Sequence, residues 1–135
     1  MLQRDYLLEV IGQFVESVTQ ALLSARAAKD KPAALESAVE VEHDVAGLLD
    51  MDPDVAMNLT PDSLVTMMLL SGMGDALAGY VAFALSRVAD VYDEAGEAET
   101  ADARREQAAA IAASFDVDTD RPPEELRALA DRLDT

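Results

Sequence analysis

From Leu2 to about Ala28 the apolar residues fall on a helical period. Leu7, Ile11, Phe14, Val18, Ala21 and Ala25 recur at spacings of four and three, which places them on one stripe. Leu8, Val15 and Leu22 form a second stripe beside it, and Glu9, Gln13, Glu16 and Gln20 mark the polar side. The combined arc spans roughly 160°, enough to need two neighbours. If the chain supplies only one, the remainder is a surface for self-association, so a homodimer through this first helix is one expectation.

Lys29-Asp30-Lys31-Pro32 breaks the pattern, and Pro32 suits the first turn of a second helix, where its missing N–H costs nothing. That helix runs to about Leu49 with Leu35, Val39, Val45, Ala46, Leu48 and Leu49 inward. Glu42 falls inside the same apolar arc, a position for a catalytic acid in a dry pocket or, more commonly, for a carboxylate that meets an arginine or reaches the core edge. Asp50-Met51-Asp52-Pro53-Asp54 reads as a loop or short turn. Thr60-Pro61-Asp62 combines a capping hydroxyl, a proline and an acid at a helix start, predicting a helix over 61–71. Further helices are expected over 75–95, closed by Gly96, and over 97–115. Pro122-Pro123 precedes a short final helix carrying Leu126, Leu129 and Leu133.

No run of β-branched and aromatic residues alternates at period two. The expectation is one all-α domain over residues 1–135, built of five to six helices packed as antiparallel hairpins. Residues 1–58 would form a helical hairpin and loop, and residues 59–135 the remaining helices.

Composition refines this picture. Half of the chain is hydrophobic, but aromatics make up only 4% and alanine much of the rest, which favours thin, close helix–helix interfaces. The formal net charge of −17 disfavours nucleic acid and anionic membranes as partners, since both need basic patches. The same charge fits a solvated surface, attraction to a basic partner, or a high-salt habitat. With no cysteine, disulfides and thiolate chemistry are excluded. The N-terminal residues lack a basic start, an unbroken apolar stretch and a cleavage site, so the expected address is cytoplasmic. Between Leu64 and Leu85 the only charge is Asp75. That carboxylate, with Gly72 and Gly74, argues for two buried helices joined by Ser71-Gly72-Met73-Gly74 and against a membrane span.

Two resemblances follow from particular residues. Leu85, Val88, Ala89, Tyr92, Gly96, Ala101 and Ala108 stand at the spacing of a tetratricopeptide repeat, which the segment resembles over about a quarter of the chain. Small residues at Ala89, Ala101 and Ala108 let two helices approach closely, and Tyr92 fills the gap above them. Arg105 and Ala113 depart from the pattern, where the family has an aromatic and often a proline. In that family the first helix of a pair lines a groove for extended peptides or partner helices. The resemblance therefore implies partner-binding roles for Phe83, Ser86, Arg87, Asp90, Asp93 and Glu94; Phe83 is either an exposed anchor for a basic or amphipathic peptide or a residue that another helix of the chain covers. Arg4-Asp5-Tyr6-Leu7, Leu48-Leu49-Asp50 and Leu59-Thr60-x-x-x-Leu64 also resemble an uncharacterised bacterial family of small all-helical proteins, a domain of unknown function. That likeness implies an all-α fold and no activity.

Other constellations are weaker. Glu40-x-x-His43 is half of a di-iron bundle motif, and one histidine cannot complete such a site without a second copy of the chain. Asp116-x-Asp118-x-Asp120 and Asp50-x-Asp52-x-Asp54 open like calcium loops, but lack the glycine and the distal glutamate, and read better as helix-capping loops. Met51, Met57, Met67, Met68 and Met73 cluster around the 61–71 helix as core filler, although methionine-rich surfaces also bind varied partners. No nucleophile, second base or oxyanion donor set accompanies Glu42. The expected function is a non-enzymatic interaction module, with no cofactor and with a protein or peptide partner. The alternatives are a metal-binding dimer using Glu40 and His43, or a purely structural subunit.

Overall fold

The computed structural model describes residues 2–135, with side chains from Asp5 onward, and all its regular elements are helical. In chain order they are α1 (Leu2–Ala27), α2 (Lys31–Leu48), α3 (Pro53–Asn58), α4 (Pro61–Ser71), α5 (Gly74–Glu94), α6 (Ala98–Phe115) and α7 (Glu124–Leu133). The all-α expectation holds, five helices start and stop within a residue or two of the pattern-derived limits, and a short final helix carries Leu126, Leu129 and Leu133. The addition is α3, which occupies the segment read as a loop or turn.

The starts of α2, α3 and α4 use one chemistry. Asp30, Asp52 and Thr60 are N-caps whose side chains accept from Ala33 N (2.9 Å), Asp54 N (2.9 Å) and Ser63 N (3.2 Å), and each helix carries proline in its first turn. A side-chain acceptor satisfies a backbone donor that the helix itself leaves free. The end of α5 is closed by Gly96 at φ 83°. There Glu97 N donates to Tyr92 O (2.8 Å) and Gly96 N to Asp93 O (3.0 Å), the paired bonds of a Schellman motif.

Two helical hairpins form the frame. α1 packs on α2, α5 packs on α6, and α2 lies against α5, joining the two. The α5–α6 pair is antiparallel: Arg105 meets Asp93 near the turn, and a Cβ added at Gly74 would meet the ring of Phe115 at the far end. α3 rests on α2, α4 rests on α6 and α5, and α7 rests on α1.

α5 is the central helix. Val81 to Leu85 are five consecutive buried residues, so at 100° per residue every side of the helix is covered there. Alanine at 82 and 84 is what allows neighbours to close in from several directions. α1 likewise has α2, α5 and α7 against it, more neighbours than the single one that would leave a wide self-association strip. Of its second stripe Leu22 is buried, Val15 packs against the core, and Leu8 is exposed with its neighbour Tyr6. One register reading is corrected on α2. Val39 is exposed, and the inward face is carried by Ala38, Val41, Glu42, Val45, Ala46 and Leu48.

α4 ends at Ser71 and α5 begins at Gly74, so the apolar stretch is divided as its glycines suggested. Among the described residues no helix is long and apolar enough to cross a membrane.

Candidate functional site

The face of α5 expected to line a groove is closed. Phe83 is 1% exposed, which overturns its reading as an accessible anchor. The residues one helical turn to either side explain why. Tyr80 donates a hydrogen bond to Glu125 (2.6 Å), and Arg87 donates to both carboxylate oxygens of Asp134 (2.7 and 3.1 Å). These bonds lay α7 across the face. The Arg87 guanidinium also sits 5.3 Å from the centre of the Phe83 ring, and Phe14 of α1 packs edge-on against Tyr80. The signal was present in Leu126, Leu129 and Leu133, which need a surface to bury against. Two of them, Leu126 and Leu129, are buried, and Leu133 is half-buried.

The other residues of that set are dispersed. Ser86 and Arg87 are half-buried, and Asp90, Asp93 and Glu94 are exposed. Asp90 and Asp93 share Arg105, at 3.2 and 2.8 Å. What remains of the groove is a cleft of about 150 Å³ lined by Arg26, Arg87, Asp90, Glu94 and small apolar residues. That volume is below the range of a pocket that buries a drug-sized ligand or a peptide side-chain row.

A buried polar network ties the hairpins together. Glu42, 6% exposed, accepts from Arg104 Nε (2.5 Å) and from the Tyr92 hydroxyl (2.8 Å). Arg104, 8% exposed, also donates to Met57 O (2.9 Å) and to Gln107 Oε1 (3.1 Å). The Gln107 amide then donates to Leu59 O at 3.0 Å. Burial and the adjacent Glu42 carboxylate push the Tyr92 hydroxyl far above its usual pKa, so it stays protonated as a donor. Among the described residues no buried side-chain nitrogen or oxygen lacks a partner. The network's product is positional, because it fixes two carbonyls at the end of α3 and so sets where α4 begins.

α4 is the element with apolar surface to spare. Leu64, Val65 and Met68 face the core, while Met67 (44% exposed) and Leu70 (77% exposed) lie on another side, with Leu69 exposed as well. Met73, in the turn after α4, is 42% exposed. Between this side and the end of α2 runs a groove of about 420 Å³, lined mainly by Leu48, Leu49, Met51, Met67, Leu70 and Met73. Of the five methionines expected as core filler, Met57 and Met68 serve that way, Met51 is half-buried, and Met67 and Met73 are on the surface.

Glu40 and His43 are exposed on α2, and the neighbouring Asp44 accepts from the Ser17 hydroxyl at 2.9 and 2.8 Å. Among the described residues no three His, Cys, Asp or Glu side chains converge as metal ligands. Of the acidic loops, Asp52 caps the start of α3, whereas Asp118 accepts from Asp120 N at 2.8 Å in a turn of its own loop and caps no helix start. Compared with family models, curated proteins and solved structures, the chain has no match.

Proposed function

We propose that this chain is a non-enzymatic protein-interaction module that receives a peptide or helical partner in the α4 groove. The observation that carries the reading is the exposure of Met67, Leu70 and Met73 around an apolar groove. A short helix that is apolar on more sides than its own chain covers gains by burying the rest. Methionine side chains suit such a surface because they repack around different partners at little cost. In this reading α5 and α6 form a tetratricopeptide-like hairpin that serves as scaffold. The burial of Leu85, Val88, Ala89, Tyr92, Ala101 and Ala108 supports that part.

The test is affinity capture from a lysate of the source organism, using the wild type, Met67→Glu/Leu70→Glu and Asp90→Lys/Asp93→Lys, each checked to be folded by circular dichroism. A protein captured by the wild type and by the Asp90/Asp93 variant, but lost with the Met67/Leu70 variant, supports docking on α4. Loss with the Asp90/Asp93 variant alone moves the docking surface to the outer side of α5.

A further inference from the structure

Resting on the α4 docking reading, we infer that the groove's occupant is a basic amphipathic helix. The groove is apolar along its floor and negative at its rim. Asp50 is one of its lining residues and is exposed. From Pro32 to Ser86 the sequence contains no lysine or arginine at all. The groove's lining residues, from Leu48 to Leu77, all fall inside this stretch without a cation.

The backbone adds to this field. The last turn of α2, at Leu48 and Leu49, and the last turn of α4, at Leu70 and Ser71, both line the groove. The C-terminal end of a helix carries a partial negative charge from its unpaired carbonyls, and neither end has a basic residue in its last turn to neutralise it. A lysine or arginine flanking the apolar face of a bound helix would meet Asp50 and these two carbonyl ends together.

A second copy of the chain fits poorly. A two-fold dimer sets the same patch against itself. Here that juxtaposes two rims without a cation between them, on molecules of formal charge −17. An acidic or neutral amphipathic helix could use the apolar floor but would leave the rim unanswered. The helical form of the occupant follows from the groove walls, which are helix flanks whose exposed side chains Met67 and Leu70 stand one turn apart, the spacing that matches a facing apolar stripe.

The experiment titrates the full chain, carrying ¹³C-methyl methionine, with three synthetic peptides of about 18 residues, five helical turns. The first places leucines on one face and lysines on its flanks. The second replaces lysine by glutamate. The third has the composition of the first with the leucines scattered. Expected is a titration of the Met67 and Met73 methyl signals by the first peptide, with Met57 unmoved. Affinity should be at least about 10-fold weaker for the glutamate and scattered peptides, and should weaken as salt is raised. Leu70→Glu should also weaken binding of the first peptide, although the substitution adds negative charge, because the apolar contact is lost. Equal binding by the lysine and glutamate peptides at these methyls overturns the basic character of the occupant and leaves α4 docking standing. Equal binding by the amphipathic and scattered lysine peptides, indifferent to Leu70→Glu, overturns both, since it reduces the effect to diffuse attraction.

Discussion

Removing the Glu42 carboxylate should cost far more than removing any exposed charge. Glu42→Ala leaves Arg104 charged and 8% exposed, with only Met57 O and Gln107 Oε1 as neutral partners, and leaves the buried Tyr92 hydroxyl without its acceptor. Breaking one side of a buried ion pair costs about 3–5 kcal/mol, because the surviving charge has been taken from water without compensation. The orphaned hydroxyl costs about 1–3 kcal/mol. Set against a total stability of about 5–15 kcal/mol for an ordinary domain, that is a large share. The companion variant Glu42→Leu/Arg104→Met/Tyr92→Phe removes the charges and the hydroxyl together and should lie within about 2 kcal/mol of wild type. Urea unfolding followed by circular dichroism measures both. A cost under about 1 kcal/mol for Glu42→Ala, or a triple variant as unstable as the single one, refutes the reasoning. Because Arg104 and Gln107 hold Met57 O and Leu59 O, Glu42→Ala should also broaden the α4 methyl signals before global unfolding.

Three further outcomes are expected. Gly74→Ala should destabilise by about 1–3 kcal/mol, because its Cβ would drive into the Phe115 ring beside Met68 O, and Phe115→Leu in the same chain should restore part of the loss in a urea titration. Gly96→Ala should cost about 1–2 kcal/mol by thermal unfolding, because the turn holds φ at 83°. The docking of α7 should weaken in acid: the Tyr80 hydrogen bond lowers the Glu125 pKa and Arg87 lowers that of Asp134, so their contribution is present above the ordinary carboxylate range and lost as pH falls through the lowered values. Nuclear magnetic resonance should then show α7 amide signals changing first on acidification. Asp44, raised by burial, works in the opposite sense, and Asp44→Asn should flatten that contribution.

Much of the fold was readable because its signals are local. Thr60-Pro61-Asp62 and the Gly96 turn each specify an end, and the four-and-three spacing of Ile11, Phe14 and Val18 specifies a face. α3 was missed although Asp52-Pro53-Asp54 repeats the cap, proline and acid of Thr60-Pro61-Asp62. Six residues are too few for an apolar period to show, so the cap was the only evidence available. The apolar arc of α2 singles out Glu42 but leaves open whether it meets an arginine or the core edge, and it names no partner. Arg104 lies 62 residues away, and in sequence it is indistinguishable from the exposed Arg105 beside it. The site was the least legible part. Whether Phe83 reaches solvent depends on where α7 settles, and α7 is held by long-range contacts to Tyr80 and Arg87 that no spacing within α5 encodes.

The most direct test of the account is photo-crosslinking in the cells that make the protein, with a photoreactive residue at position 70 and, as control, at the exposed position 109 of α6. A defined heavier adduct from position 70 and none from position 109 is the predicted result. Free chain alone from position 70, with an adduct from 109, contradicts docking on α4.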